Sequence, residues 1–420
     1  MLRVAFAALI FFATLAVIMI RPYRVPEAGA AVGGALLMLL GGYLKPVEAL
    51  AVLVREWNIY GFLLGLMAIS ALADQAGIFE ALALHAGRWG RGDARALYVA
   101  LFLIGVFITA FLSNDATALI LTPVVYALVT RLRLPIMPFM FACTFIANTA
   151  SFILPVSNPI NVLVLDTFGG DLGTFLRYLL LPSLFSVGFN VALFVWLFRR
   201  ELRLQYDPHA LAIAPSDHMY FRLTLVVLGM IATGYVVASA IRLPVSFVAL
   251  SGGALLLCVG YRHLDWRRLS RDISWSLFLF ISGMFVIMRG VENLGLTAAL
   301  GNSLLHLSGT DPLPAVLLAA GGTALGANLI NNFPMALVII SALRTASTTV
   351  ESQEALVYAS VLGADLGPNL TTVGSLATML WLLILRRRGL EISTLEYLKL
   401  GVTTVPVMVV VGALLIWLQI

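Results

Sequence analysis

Apolar runs long enough to cross a lipid bilayer dominate the chain. About ten segments approach the roughly 20 apolar residues that span a bilayer core, and clear examples cover 4–20, 179–198, 223–241 and 406–418. Hydrophobic residues make up 61% of the 420 residues and charged residues 11%, whereas a soluble domain carries roughly 25% charged residues. The pattern therefore predicts an all-α polytopic membrane protein.

The second half of the sequence resembles the first at an offset of 218 residues. The offset is carried by identical pairs: Pro26 and Pro244, Tyr43 and Tyr261, Trp57 and Trp275, Gly65 and Gly283. A polar segment that begins at Ser113 aligns with one that begins at Asn331, and Asn148 aligns with Asp365 one residue out of register. A constant offset over most of a half indicates an internal duplication.

Each half has the same order of segments. In each half, one pair of apolar segments has polar residues between its members and is too interrupted to form simple spans. These two pairs are predicted to be re-entrant hairpins. A bilayer tolerates such hairpins where protein or water covers the polar tip. The predicted units are a first repeat over 1–206 (hairpin about 96–130, broken helix about 137–166), a cytoplasmic linker over 207–221, and a second repeat over 222–420 (hairpin about 313–344, broken helix about 355–385). Each repeat then crosses five times, and an odd number makes the two repeats inverted.

The basic residues predict the orientation. Alternating loops place 19 of the 26 on one side, including those that follow residue 198, and that side should be cytoplasmic. Both termini are then periplasmic, in a bacterial inner membrane. A cleaved signal peptide over 4–20 is disfavoured, because this run is long for one and has a partner in the second repeat.

Other classes of protein find little support. The basic residues are dispersed among short loops, which argues against nucleic-acid binding despite a pI near 9.4. Cys143 and Cys258 lie in apolar runs and imply neither a disulfide framework nor a zinc site. No nucleotide-binding loop, nucleophile elbow or two-histidine zinc motif occurs, so no cofactor or metal is expected. An intramembrane enzyme is disfavoured for the same reason.

Four motifs concentrate polar residues within apolar sequence. Gly and Pro break the helices there, and the freed polar groups need partners, which a small polar solute could supply. Mutual satisfaction of these groups at helix kinks is the alternative. The predicted substrate-binding residues are Ser113, Asn114, Asn148, Thr149, Ser157, Asn158, Asn331, Asn332, Asn369, Thr371, Thr372 and Ser375.

Asp115 and Asp365 are the carboxylates of these motifs. Acidic residues at the bilayer centre are costly and are functional candidates, and burial favours the protonated form of a carboxyl group. They are predicted to carry protons; a purely structural role is the alternative. Asp74, Glu292, Asp166 and Cys143 are weaker candidates.

The motifs resemble the arsenical pump membrane protein (ArsB) family of the ion transporter superfamily. The resemblance covers nearly the whole chain and is carried by Ser113-Asn-Asp-Ala-Thr-Ala-Leu, Thr149-Ala-Ser, Asn331-Asn-Phe-Pro and Asp365-Leu-Gly-Pro. It implies extrusion of trivalent arsenite or antimonite in exchange for protons, with an optional ATPase subunit (ArsA). It also implies two inverted repeats with hairpins and broken helices, in agreement with the pattern above.

The chain departs from the family pattern at three positions. Asn148 stands where the family usually has Asp, Ala364 where it often has Cys, and Asn369 where it often has Lys. The first departure removes one possible proton carrier, and the second removes a thiolate ligand. A sodium/proton antiporter, a silicic-acid exporter, an anion carrier and a passive channel remain the rival functions.

Overall fold

The computed structural model describes residues 2–20, 25–208, 218–295, 297, 299, 301–302, 312–344 and 350–420. Among these residues the secondary structure is helical, with one isolated β-bridge between Asp93 and Gln205. The predicted all-α class is confirmed. Residues 209–217 of the predicted linker lie outside the described residues.

The described part of the first half contains eleven α-helices in chain order. They are α1 (Leu2–Ile20), α2 (Glu27–Leu40), α3 (Pro46–Arg55), α4 (Trp57–Gln75), α5 (Ile78–Trp89), α6 (Ala94–Phe111), α7 (Asn114–Ala116), α8 (Thr122–Arg131), α9 (Ile136–Thr149), α10 (Pro159–Phe168) and α11 (Leu172–Leu197). A π-helical turn, Thr117–Leu121, joins α7 to α8. Helix α6 and the arm α7–α8 form hairpin 1, and α9 with α10 forms broken helix 1.

The described part of the second half repeats this order. Its helices are α12 (His218–Ala240), α13 (Val245–Gly260), α14 (Trp266–Asp272), α15 (Trp275–Glu292), α16 (Leu313–Ile330), α17 (Asn332–Arg344), α18 (Val350–Leu366), α19 (Leu376–Arg387) and α20 (Thr394–Trp417). Helices α16 and α17 form hairpin 2, and α18 with α19 forms broken helix 2. The short helices α3 and α14 were not predicted from the sequence.

Eight segments among the described residues are helical, apolar and long enough to cross a membrane. Two of them, α6 and α16, are first arms of the hairpins. Helices α2 and α13 are apolar but have only 14 and 16 residues. We count α2 and α13 as spans because of their place in the repeat. With the six long helices that are not hairpin arms, and with each broken helix crossing once, the number of crossings among the described residues is ten.

The two halves pack against each other reciprocally. A Cβ atom added to Gly65 on α4 would lie 2.4 Å from the Ala249 carbonyl carbon on α13, and one added to Gly283 on α15 would lie 2.6 Å from that of Ala31 on α2. The two pairs are equivalent at the offset of 218. Small residues allow helix backbones to approach this closely inside a membrane. The two repeats are therefore related by a pseudo-twofold axis, although their exact boundaries remain a prediction.

Both hairpins turn at a polar residue with unusual backbone geometry. Ser113 has a φ of 150° and the equivalent Asn331 has a φ of 72°, a region that residues with side chains rarely adopt. The following arm starts at the next residue in each case. The tips are therefore built alike, and both lie inside the protein, because Asn114 and Asn332 are buried.

The close contact at Gly283 gives a stability prediction. We expect Gly283→Ala to lower the free energy of unfolding by about 1–3 kcal/mol, because the new methyl group overlaps backbone atoms that cannot move aside easily. The matched control is Gly229→Ala on α12, where a Cβ meets nothing within 4 Å and alanine should raise helix stability by about 0.5–1 kcal/mol. Thermal unfolding in detergent measures both, and equal shifts would contradict the packing.

Candidate functional site

The hairpin tips and the breaks of the two broken helices enclose a small cavity. This central cavity has a volume of about 40 Å³. Its polar lining comes from both hairpins and both broken helices: Asn114, Asp115, Asn158, Asn331, Asn332 and Ser375. Its apolar walls include Leu277, Phe280, Phe333 and Leu376. Four segments that are far apart in sequence thus meet at one point.

Four helix N-termini meet around this cavity. The second arms of the hairpins start at Asn114 and Asn332, and the second halves of the broken helices start after Asn158 and Ser375. The Asn158 side chain accepts a hydrogen bond from the amide of Ile160, and the Ser375 hydroxyl accepts one from the amide of Thr378. Helix N-termini carry partial positive charge, so the cavity favours ligand groups that accept hydrogen bonds.

The broken helices are bridged to each other by a reciprocal pair of hydrogen bonds. The Asn158 amide donates to Asp365 Oδ1, and the Ser375 hydroxyl donates to Asn148 Oδ1 at 3.3 Å. The repeat pairs Asn148 with Asp365 and Asn158 with Ser375, so each capping residue binds the acid or amide of the opposite half. We call this pair the crossed bridges.

A buried amide network extends from the crossed bridges into broken helix 1. The Asn148 amide donates to Asn369 Oδ1 at 2.9 Å and to the Thr378 hydroxyl at 3.2 Å. The Thr149 hydroxyl accepts from Asn369 at 3.0 Å and from Asn190 at 2.9 Å. These side chains are fully or almost fully buried. Asn369 therefore joins the second repeat to the first.

Each hairpin is also fastened to the broken helix of its own half. In the first half, the Ser157 hydroxyl donates to the Ala110 carbonyl at 3.0 Å. In the second half, Asn328 on α16 donates to the Gly367 carbonyl at 2.7 Å and accepts from the Thr371 hydroxyl at 2.7 Å. These bonds satisfy backbone groups that the helix breaks leave free.

Asp115 connects the central cavity to a much larger space. This vestibule, of about 1100 Å³, reaches from Asp115, Leu277 and Leu376, which line both spaces, to a rim of exposed arginines. The rim arginines are Arg131, Arg268, Arg271 and Arg387, all on the side with most basic loops. Asp115 is partly buried, and it is the acidic residue among the described residues that line the central cavity.

Asp365 lies behind the central cavity rather than in its wall. Its side chain is 1% exposed, Oδ1 is bonded to Asn158, and Oδ2 has no hydrogen-bond partner among the described residues. A carboxylate with one free oxygen in a buried site is costly when charged. The arrangement suits a group that binds a proton.

The structure divides the predicted binding residues into two sets. Asn114, Asn158, Asn331, Asn332 and Ser375 line the central cavity together with Asp115. The remaining residues lie outside this lining. Ser113 caps the second arm of hairpin 1, and Thr372 is buried. The others form the hydrogen bonds described above: Ser157, Thr371 and Asp365 at the helix breaks, and Asn148, Thr149 and Asn369 in the amide network. This second set surrounds the cavity and positions its walls.

The weaker candidates lie away from the central cavity. Asp74 pairs with Arg268 in the vestibule, Asp166 accepts from Asn58 at 3.2 Å, and Cys143 is buried in α9. Glu292 lies on the opposite side from the vestibule rim. Among the described residues, no cluster of three or more His, Cys, Asp or Glu side chains could hold a metal ion.

Sequence reasoning did not select three members of the network. Asn190 is fully buried in the long apolar helix α11, and Asn328 and Thr378 bond to the breaks of the broken helices. An isolated Asn in an apolar span was a usable signal for Asn190, because a buried amide needs a partner. Thr378 carries no comparable signal in sequence.

The crossed bridge at Asp365 gives a coupling prediction. We expect Asn158→Ala to destabilise the protein by about 2–4 kcal/mol, because it removes a helix cap and a hydrogen bond to a buried carboxyl group. In an Asp365→Ala background the cost should fall by about 1–3 kcal/mol. Thermal unfolding of the four variants measures this coupling. The control is Asp93→Ala, which removes an exposed cap and whose cost should be the same with and without Asp365→Ala. If the costs of Asn158→Ala and Asp365→Ala simply add, the bridge is contradicted.

The chain is similar in sequence to a known family over nearly its whole length. The model of the family described as arsenical pump membrane protein matches residues 6–418. An arsenical pump membrane protein of Escherichia coli (strain K12) is 33% identical over 97% of both chains, and one of Yersinia enterocolitica is 32% identical over the same shares. A putative arsenical pump membrane protein of Bacillus subtilis is 26% identical over 96% of both chains.

A solved structure supports the fold. The YdaH transporter of Alcanivorax borkumensis, whose topology is described as unusual, superposes with a TM-score of 0.58 over 87% of this chain and 86% of its own, at 16% identity. The likeness concerns the fold alone. The family itself is shown by the match over residues 6–418 and by the relatives of 32–33% identity. The chain therefore belongs to the arsenical pump membrane protein family and is a multi-pass membrane transporter.

Proposed function

We propose that the chain extrudes trivalent arsenite or antimonite in exchange for protons and that the solute binds in the central cavity. The relatives are named as arsenical pumps. Arsenite at neutral pH is an uncharged trihydroxide, whose oxygens accept hydrogen bonds and whose hydroxyls donate them. The central cavity offers partners of both kinds.

The lining of the central cavity carries this proposal. Four helix N-termini and the amides donate to the solute oxygens, while Asp115 and the amide oxygens accept from its hydroxyls. None of the described residues that line the cavity is Arg, Lys or His, which disfavours an anion. The volume of about 40 Å³ exceeds the roughly 10–15 Å³ that one water molecule needs, so the cavity suits a solute of few atoms.

Asp115 and Asp365 are the proposed proton carriers. Asp115 lies between the vestibule and the central cavity, so a bound solute and a proton from the vestibule would compete for its oxygens. Asp365 would exchange its proton when the crossed bridge to Asn158 rearranges. Protonation of either group then alternates with binding of the solute.

Proton exchange supplies the required energy. A neutral solute gains nothing from the membrane potential, but one proton entering down 100 mV yields about 2.3 kcal/mol. That energy supports an outward solute gradient of about fiftyfold. A soluble ATPase subunit (ArsA) would add to this drive, and exchange would proceed in its absence.

The sidedness is proposed from charge. The rim of the vestibule belongs to the basic side, which the positive-inside rule assigns to the bacterial cytoplasm. In this orientation the solute enters the vestibule from the cytoplasm, and both termini are periplasmic. The protein would then lie in the inner membrane.

Arsenite resistance tests the substrate. Expression in a cell that lacks its own arsenite pump should raise the tolerated arsenite concentration by about tenfold or more, as expected for a pump sustaining a gradient of the size above. Everted vesicles should accumulate arsenite, and an uncoupler should abolish accumulation. Uptake that never exceeds the external concentration would indicate a channel, and silicate or sodium transport without arsenite transport would favour the rival cargoes.

Acid-to-amide variants test the proton carriers. We expect Asp115→Asn and Asp365→Asn to lower pH-driven arsenite uptake in everted vesicles by about a hundredfold, because neither amide can bind and release a proton. Asp265→Asn is the matched control, since Asp265 caps α14 at an exposed position and Asn caps helices equally well. Unimpaired exchange in both Asp115→Asn and Asp365→Asn would exclude the proposed role.

A further inference from the structure

A second polar space lies on the other side of the central cavity from the vestibule. This outer cavity, of about 220 Å³, is lined by α3, α15 and the second arm of hairpin 2, and its charged residues include Arg55, Glu56, Glu292 and Arg344. It is the repeat equivalent of the vestibule, because Glu292 corresponds to Asp74 at the offset of 218. The two spaces differ about fivefold in volume. None of the described residues lines both the outer cavity and the central cavity.

Aromatic rings separate the outer cavity from the central cavity. Phe333, at the tip of hairpin 2, lines the central cavity, and Phe285 on α15 lines the outer one. Their ring centroids are 6.1 Å apart, and Phe280 lies 6.3 Å from Phe333. These distances are those of packed aromatic pairs. The three rings therefore join the wall of one space to the wall of the other.

An ion-pair cluster holds the same two elements together farther out. Glu292 on α15 binds Arg344 at 2.9 Å and accepts a hydrogen bond from the Ser341 hydroxyl, both on α17, and it also binds Arg289 at 3.0 Å. Glu292 is only 15% exposed, so these bonds are less screened than those of surface pairs. The second arm of hairpin 2 is thus held to α15 near its tip and near its base.

The first repeat lacks both devices. At the positions equivalent to Phe333 and Phe285 it has Asp115 and Met67, and at those equivalent to Ser341 and Arg344 it has Pro123 and Tyr126. Asp74, the equivalent of Glu292, pairs instead with Arg268 on α14. Hairpin 1 is therefore not fastened at these positions, and the vestibule is open there. The two repeats therefore differ in sequence at the positions that fasten hairpin 2.

We propose that Phe333 is a solute-contacting gate residue, and that with the Glu292–Arg344 cluster it closes the central cavity toward the outer side. This inference rests on the proposed function only in taking the central cavity as the solute site. Opening toward the outer side requires the Phe333 ring to leave Phe285 and the Arg344 ion pair to break. The same ring also limits the width of the solute, because it forms one wall of the central cavity.

Labelling from each side of the membrane tests the gate without any transported solute. The reporter is Ala377→Cys, because Ala377 lines the central cavity, in a background of Cys143→Ala and Cys258→Ser. The probe is a small membrane-impermeant methanethiosulfonate applied to right-side-out or everted vesicles. In the reporter protein, labelling should be faster from the vestibule side.

Phe333→Ala and Glu292→Gln should each raise the labelling rate from the outer side by about tenfold or more, because each removes one of the contacts that keep the gate closed. Phe278→Ala is the matched control. Phe278 lies on α15, the helix of Phe285 and Glu292, and its ring pairs with Tyr60 and Trp275. It is absent from the described walls of both cavities. It should leave the rate unchanged.

Outer-side labelling at the reporter rate in both gate variants would overturn the proposal. Gel filtration in detergent identifies a variant that fails to fold, and Glu292→Gln decides the question if Phe333→Ala is lost in this way. The test does not depend on the proposed cargo. If labelling changes as expected but the protein transports no arsenite, the gate proposal stands and the proposed function is wrong.

Discussion

Polar groups released inside a bilayer must find partners within the protein, and the site depends on this constraint. Two hairpins and two broken helices leave backbone and side-chain groups free at one depth. The protein satisfies them across the repeat, through the crossed bridges of Asn158 with Asp365 and of Ser375 with Asn148. Because each bridge joins the two halves, neither half can form the site alone.

The same constraint also accounts for the proposed site for a small neutral solute. Helix breaks expose N-termini, and four of them meet at the central cavity. Basic side chains would add charge that a neutral solute cannot balance, and the described lining has none. In the proposed function, recognition of the solute would depend on amides, a hydroxyl and the Asp115 carboxyl group. Under the proposed function this composition would couple binding of a hydroxylated solute to protonation, because both would involve the oxygens of Asp115.

The sequence was sufficient to predict the repeat, the helix breaks and several residues that line the central cavity, since each leaves a local signal. A constant offset marked the duplication, and Gly, Pro and Asn within apolar runs marked the tips at Ser113 and Asn331. The partners could not be predicted. Nothing local indicates that Asn158 meets Asp365, or that Asn190 bonds to Thr149 across 41 residues.

The short helices α3 and α14 were missed for a different reason. They are short and carry charged residues next to long apolar runs, so the apolar pattern that predicts spans does not mark them. The two repeats also differ at their hairpin tips, at positions 115 and 333. Sequence alignment pairs Asp115 with Phe333, but only the structure shows that one faces an open vestibule while the other packs against Phe280 and Phe285.

The location of the bound solute tests the central claim most directly. Antimonite scatters X-rays anomalously, so crystals of the protein soaked with it would reveal the antimony position. The account predicts an anomalous peak in the central cavity, at a position from which the antimonite hydroxyls reach Asn158 and Ser375. This peak should disappear in crystals of Asn158→Leu. A peak confined to the vestibule or to Cys143, with the central cavity empty, would contradict it.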